Sequence, residues 1–319
     1  MAKLWLLCRR YGPLILGGIL FILALGALRS ELQHYGWQKV WRSLQEIPPA
    51  QVRWALLLTV LNYAALTGYD ALACRFIQQT LAYWKIALVS FTSYAISNSI
   101  GLALLSGSAI RYRLYRRWGF SAGQIGAVIA FCNASFWLGL LAVGGVMFIL
   151  EPLQVPKFLR LPFESVHPLG IIFISLTLGY LALSLVNEGT LHLGRRRLPQ
   201  VPFALSLSQI LITALDWSLA AGVLYLLLPP HSAILLSYPG FFGIYLLAQI
   251  AGVASNVPGG LGVFETVVLF SLSPSLPSAG VLGALLAYRA LYFWLPLVGA
   301  GLTLGIYEGI VSRDSAPEG

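Results

Sequence analysis

A chain of 319 residues with 58% hydrophobic and 10% charged residues, and a mean hydropathy of +0.80, is far from a soluble composition, since soluble domains carry about 25% charged residues. The net charge of +9 lies in short basic clusters between apolar runs; these form no contiguous face and act as topology signals and headgroup contacts, which argues against nucleic acid as a partner. Cys8, Cys74 and Cys132 lack C-x-x-C spacing and His34, His167, His192 and His231 are isolated, so no disulfide, metal site or other cofactor is indicated.

Long apolar runs occupy roughly 11–28, 54–74, 86–105, 124–150, 168–187, 203–228, 234–254, 262–272 and 279–308, where ~20 apolar residues suffice to cross a hydrocarbon core ~30 Å thick. Backbone amides facing lipid must be satisfied within the segment or in a closed barrel. No short alternating strands appear, so the runs are read as helices. The first run follows Lys3, Arg9 and Arg10 and is read as an uncleaved span with its basic start in the cytoplasm. Between the first two runs, Trp37, Val40, Trp41 and Leu44 recur at helical spacing beside Lys39, Arg42 and Glu46. That pattern fits a helix over about 36–46 lying in the interface; a solvated loop is the alternative.

The run at 86–105 decides the topology. It holds Ser97, Asn98, Ser99 and Gly101, and is followed by Arg111, Arg113, Arg116 and Arg117. A full crossing would put most basic residues outside. Entry, a break near Asn98 to Gly101 and return would put most of them in the cytoplasm, which the positive-inside rule prefers. The same shape recurs later, where the run at 234–254 leads into Ser255, Asn256 and the Pro258-Gly259-Gly260 break, then a helix carrying Glu265. Paired broken segments in two halves point to a transporter site, because non-helical backbone at membrane depth survives only in a protein interior or a wet cavity. Two ordinary kinked hairpins remain the alternative. The expected fold is an all-α polytopic membrane protein with about six full spans and two broken or re-entrant hairpins, about 86–110 and 234–272, roughly eight transmembrane segments in all. The hairpins enter from opposite faces as an inverted repeat, though the second could also cross twice. Both termini are expected in the cytoplasm, with the whole chain one integral membrane domain and no soluble domain.

Charged residues inside the runs need a polar partner or a cavity. Glu265 and Arg289 are natural candidates to neutralise each other, and Asp216 or Asp70 is available to Arg111 or Arg289. Asp70 and Glu308 lie near the ends of their runs and are expected to reach the interface by snorkelling. Asn98, Asn133 and Asn256 suit either a polar interior or interhelical hydrogen bonding. Arg111 and Arg113 suit a phosphate-bearing headgroup, since a guanidinium fork matches phosphate geometry; alternatively they only hold the loop in the cytoplasm. Candidate translocation residues are thus Asp70, Asn98, Arg111, Arg113, Asp216, Asn256, Gly260, Glu265 and Arg289.

Tyr69-Asp70-Ala71-Leu72, Arg111-Tyr112-Arg113-Leu114-Tyr115, the P-x-G-x-G-x-x-E motif over 258–265 and Ala287-Tyr288-Arg289 together resemble the lysylphosphatidylglycerol synthetase transmembrane-region family over nearly the whole chain. Where the family usually has a Pro/Gly-rich run before its first arginine, this chain has Leu104-Leu105-Ser106-Gly107-Ser108. In two-part relatives, the multiple peptide resistance factors, this region is the flippase half, and a separate cytosolic domain performs the synthase reaction. The chain ends shortly after its last apolar run, so synthase activity is not expected here. The resemblance implies movement of a phospholipid or lipid-linked headgroup across the inner (cytoplasmic) membrane; a homodimer and the absence of enzymatic activity are separate expectations. A membrane-embedded transferase acting on a lipid carrier, and a non-transporting assembly subunit, are the alternatives. Against the transferase, the sequence offers no nucleophile with a base, paired aqueous carboxylates or metal-ligand spacing.

Overall fold

The computed structural model describes residues 37–100, 103–151, 165–186, 190–193, 196–199, 201–229, 236–255 and 258–314. The apolar run at 11–28, the basic residues ahead of it, Gly101 and Asn256 lie outside the described residues. In chain order the elements are α1 (Trp37–Gln45), α2 (Pro49–Phe76), α3 (Tyr83–Ile100), α4 (Ala103–Arg117), α5 (Ala122–Leu150), α6 (His167–Val186), a ribbon of β1 (Thr190–Leu193) and β2 (Arg196–Pro199), α7 (Phe203–Leu227), α8 (Tyr238–Ala254), α9 (Val263–Leu272), α10 (Ser278–Tyr288) and α11 (Leu295–Asp314). Among the described residues, five helices are long and apolar enough to cross a membrane: α2, α5, α6, α7 and the continuous rod Ser278–Ile310 that joins α10 to α11. The architecture is therefore that of an all-α polytopic membrane protein. The small antiparallel ribbon between α6 and α7 is the one addition among the described residues to that plan.

Helix starts follow local chemistry. Proline occupies the first turn of α2 and of α8, where its missing N–H costs nothing. Ser121 caps α5 by accepting from the Gln124 amide at 3.2 Å, while the Gln124 side chain accepts from the Ser121 amide at 2.9 Å, a reciprocal capping box. Gly119, at φ 88, closes the turn after α4, the left-handed position that glycine fills at helix ends.

In lipid, helices associate by close packing rather than by the hydrophobic effect, so small residues mark the contacts. A Cβ at Gly145 of α5 would fall 2.8 Å from the backbone nitrogen of Ile174 on α6, which sets that crossing. One apolar core joins α5, α7, α8, α9 and α10 through residues such as Trp217, Phe241, Leu246, Val268 and Tyr288. A second joins α2, α3, α4 and α5 around Tyr69, Val89, Tyr115 and Phe131. Exposed Leu176 and Leu178 on α6, and Val298, Leu302 and Ile306 on α11, give the bundle the apolar exterior that a bilayer requires.

Two helix pairs outside the five long spans fold back as hairpins. α3 and α4, about 27 Å and 22 Å long at 1.5 Å per residue, run antiparallel. Trp84 packs edge-on against Trp118 with ring centroids 6.3 Å apart, and the Arg111 guanidinium lies 4.6 Å from the Tyr94 ring. α8 and α9, about 26 Å and 15 Å long, likewise fold back on each other, with Tyr245 against Phe264 at 5.6 Å. The break expected near Asn98 to Gly101 falls between α3 and α4, with Gly101 outside the described residues. Ser97, Asn98 and Ser99 belong to α3, which stays helical through Ile100. The Ser99 hydroxyl donates to the Ala95 carbonyl at 2.8 Å, which satisfies this polar side chain within the helix. α1 forms as expected, with Ser43 and Leu44 against Gly283 of α10, while Trp41 remains half exposed.

Candidate functional site

The two hairpins meet at their tips. A Cβ on Gly259, in the short 3-10 turn Pro258–Gly260, would lie 3.7 Å from the Asn98 carbonyl oxygen at the end of α3 and 3.9 Å from Arg289 Nη1. The second tip is built from left-handed glycines, with Gly259, Gly260 and Gly262 at φ 62, 61 and 81, a region costly for any residue with a Cβ. Gly260 also faces Gly252 of α8, whose Cα would stand 3.1 Å from an added Cβ. A larger residue would separate the arms of this hairpin.

Each hairpin is tied to a full-length helix by one buried ion pair. At the first, Arg111 of α4 donates through Nε to Asp70 Oδ1 at 2.9 Å and through Nη2 to Oδ2 at 2.8 Å, the bidentate fork that guanidinium and carboxylate favour. The Tyr115 hydroxyl donates to Asp70 Oδ1 at 3.0 Å. Asp70 is 0% exposed and Arg111 5%. Asp70 therefore does not snorkel: α2 continues to Phe76 and the first hairpin packs over it, so its carboxylate is held by a cation instead of reaching the interface. Nearby, Ser93 Oγ and the Tyr94 hydroxyl are buried without a hydrogen-bond partner among the described residues.

At the second hairpin, Arg289 Nε donates to Glu265 Oε1 at 2.7 Å, and its Nη1 and Nη2 reach the Gly259 carbonyl at 3.2 Å. Glu265 Oε2 accepts from the Gly262 amide at 2.8 Å, so one carboxylate both caps the start of α9 and pairs with the arginine. The Arg289 guanidinium lies 4.6 Å from the Phe293 ring, within cation–π reach. The expected Glu265–Arg289 pair is thus present.

Between α10 and α11 the rod widens into a π turn, Arg289–Trp294. Such turns leave the regular ladder and recur at functional sites. Here the Tyr292 carbonyl accepts from the Tyr63 hydroxyl at 3.2 Å, and the Phe293 carbonyl from Ser99 Oγ at 3.1 Å, which joins the widened turn to the first hairpin and to α2. Asp216 of α7 lies beside this turn. Its Oδ1 accepts from Asn62 Nδ2 at 2.8 Å and its Oδ2 from the Tyr69 hydroxyl at 2.7 Å, and no arginine takes it as a partner among the described residues.

The remaining candidates separate. Arg113 is exposed and pairs with Glu308 of α11, so Glu308 does sit at the half-exposed periphery as expected. Asn98 and Gly260 belong to the two tips, Asn133 bonds the Ile129 carbonyl of its own helix, and Asn256 lies outside the described residues. The sequence reading missed the tyrosine shell: Tyr63, Tyr69, Tyr94, Tyr115 and Tyr292 surround the charges. The available signal was adjacency, since Tyr69 precedes Asp70 and Tyr288 precedes Arg289.

The family described as the lysylphosphatidylglycerol synthase TM region matches residues 14–300. The chain is 55% identical over 309 residues to uncharacterized protein slr0712 of Synechocystis sp., covering 97% of this chain and 95% of that one. It is 29% identical over 293 residues to inner membrane protein YbhN of Escherichia coli, covering 91% and 90%. A phosphatidylglycerol lysyltransferase of Staphylococcus haemolyticus is 24% identical over 305 residues, covering 92% of this chain but 34% of that protein. With four sequence motifs, a multi-pass helical bundle and a match over most of its length, the chain belongs to the lysylphosphatidylglycerol synthase transmembrane-region family.

Proposed function

We propose that the protein is a lipid translocator of the inner membrane that carries a phospholipid or lipid-linked headgroup past the hairpin junction, without catalysing a group transfer. The observation that carries this reading is the pairing of two short hairpins, each anchored by a buried carboxylate–guanidinium pair, with tips in contact at Asn98 and Gly259. Interrupted helices that meet in this way are the architecture in which transporters place their substrate sites.

Charge compensation is the physical reason for such a site. A headgroup moved through hydrocarbon loses its hydration, at a cost far above thermal energy. Arg111 and Arg289 each hold a carboxylate at rest, and each would exchange it for the phosphate as the headgroup passes. Ser93 Oγ and the Tyr94 hydroxyl, unpartnered beside Arg111, offer further polar contacts, while exposed Arg113 meets the headgroup first by long-range attraction. The acyl chains remain in the bilayer along the apolar exterior. In this arrangement both termini and the base of the first hairpin, with its arginines, face the cytoplasm, as the positive-inside rule favours. Family membership and the YbhN likeness support an inner-membrane setting.

The test is a leaflet-resolved lipid assay in proteoliposomes with a panel of headgroups, comparing the wild type with Arg111→Gln and Glu265→Gln at equal inserted amounts. The wild type is expected to accelerate movement of at least one headgroup, and both variants to lose it. Equal rates with and without protein for every headgroup would refute the proposal.

A further inference from the structure

The described residues bury three carboxylates, Asp70, Asp216 and Glu265, but only two guanidiniums, Arg111 and Arg289. Both guanidiniums are engaged elsewhere, by Asp70 and Glu265. Asp216, 7% exposed, has only neutral donors: the Asn62 amide at 2.8 Å and the Tyr69 hydroxyl at 2.7 Å. A carboxylate in this setting bears its desolvation with no Coulombic return, so its charge is not fixed by a counter-ion as in the other two cases.

The hydrogen-bond geometry accepts either protonation state. The Asn62 amide is oriented by the Tyr292 hydroxyl, which donates to Asn62 Oδ1 at 2.8 Å, leaving its nitrogen facing Asp216. In the ionised state Tyr69 donates to Oδ2. In the neutral state the new carboxyl O–H donates to the Tyr69 oxygen, whose own hydrogen turns away, since a phenol both donates and accepts. The titratable groups near Asp216 are phenols: Tyr63 and Tyr69 from α2, Tyr94 from α3, Tyr245 from α8 and Tyr292 from the π turn. Further out, α2 contributes Asp70, held by Arg111 of α4, α5 contributes the Cys132 thiol near Tyr69 and Tyr94, and α10 contributes Tyr288, bonded to Tyr245. None of these supplies a free cation.

We propose that Asp216 is a proton-binding site whose state is conveyed to the hairpin junction through Asn62 and Tyr292. The step is a balanced protonation, in which one carboxylate and one proton from water give one neutral acid and no other bond changes. Asn62 and the Tyr292 hydroxyl lead directly to the π turn, whose carbonyls bond Tyr63 and Ser99. A change of charge on α7 therefore reaches the tip of the first hairpin through three hydrogen bonds. Proton binding rests on this geometry alone; only its use to drive movement rests on the lipid-translocation reading.

Infrared difference spectroscopy of the full chain in lipid, stepped from alkaline to acid pH, reads the site directly. A protonated-carboxyl band is expected on acidification of the wild type, absent in Asp216→Asn and restored at a shifted frequency in Asp216→Glu. Tyr69→Phe removes a donor to the ionised form, so the midpoint should rise by about one pH unit; this variant also keeps the test open should Asp216→Asn misfold. A band that persists in folded Asp216→Asn, or a midpoint unmoved in Tyr69→Phe, would overturn the assignment. In proteoliposomes, an imposed pH gradient should alter lipid movement in the wild type and not in Asp216→Asn. Lipid movement indifferent to the gradient would overturn the coupling while leaving the lipid reading intact, and absence of lipid movement would overturn that reading while the spectra still decide proton binding.

Discussion

Removing either partner of the Asp70–Arg111 pair should be far more damaging than removing both. The side chains are 0% and 6% exposed, so solvent screening does not soften the loss, and breaking a buried pair from one side costs about 3–5 kcal/mol because the other charge is left uncompensated. At 1.4 kcal/mol per factor of ten, that is a loss of roughly a hundred- to a few thousand-fold in the folded-to-unfolded ratio. In Asp70→Asn, Arg111 keeps one neutral acceptor; in Arg111→Gln, Asp70 keeps only neutral donors, the Tyr115 hydroxyl and the new amide. The double variant has no net buried charge and an amide-to-amide contact, so it should recover most of the loss, giving a coupling of at least about 2 kcal/mol in the cycle. Equilibrium unfolding by steric trapping in a fixed detergent or bicelle measures all four proteins. Additive costs, with no coupling, would refute the reasoning. The double variant also separates structure from function: it should be folded yet unable to move lipid.

Glu265→Gln should be less destabilising than Glu265→Ala by about 1 kcal/mol, because glutamine still accepts from the Gly262 amide and preserves the cap; thermal unfolding of the two variants checks this order. Gly260→Ala places a Cβ at φ 61 and 3.1 Å from Gly252 Cα, which should cost at least about 1–2 kcal/mol from the backbone alone and open the second hairpin, measurable as a longer spin-label distance between α8 and α9. Arg113→Ala removes an exposed pair worth at most about 1 kcal/mol, so stability should hardly change. Headgroup recruitment should weaken in that variant, and its lipid movement should respond less to salt than that of the wild type.

The lengths and apolarity of five spans were legible because a bilayer imposes a minimum run that few other settings demand. The Glu265–Arg289 pair was legible too, since a break rich in glycine placed a charge at the start of one short helix and another charge lay deep in the next run. Asp70 was misjudged because a run's apparent end says little when the helix extends beyond it and another hairpin covers it. Its partner is 41 residues away, a pairing that only tertiary structure fixes. Ser97, Asn98 and Ser99 were legible as polar residues beside a break but not as part of the helix, where Ser99 satisfies its hydroxyl on its own helix and on the Phe293 carbonyl. The π turn has no marker in the sequence, which is why the link from Asp216 to the junction emerged only from coordinates.

The claim on which the mechanism depends is that the meeting point of the hairpin tips can be reached from both sides of the membrane. In a chain with Cys8, Cys74 and Cys132 replaced, Asn98→Cys would be treated with a membrane-impermeant maleimide from each face of sealed vesicles. Labelling from either face, slowed by the transported lipid, is the expected result. Labelling from one face only, or from neither, would contradict the account.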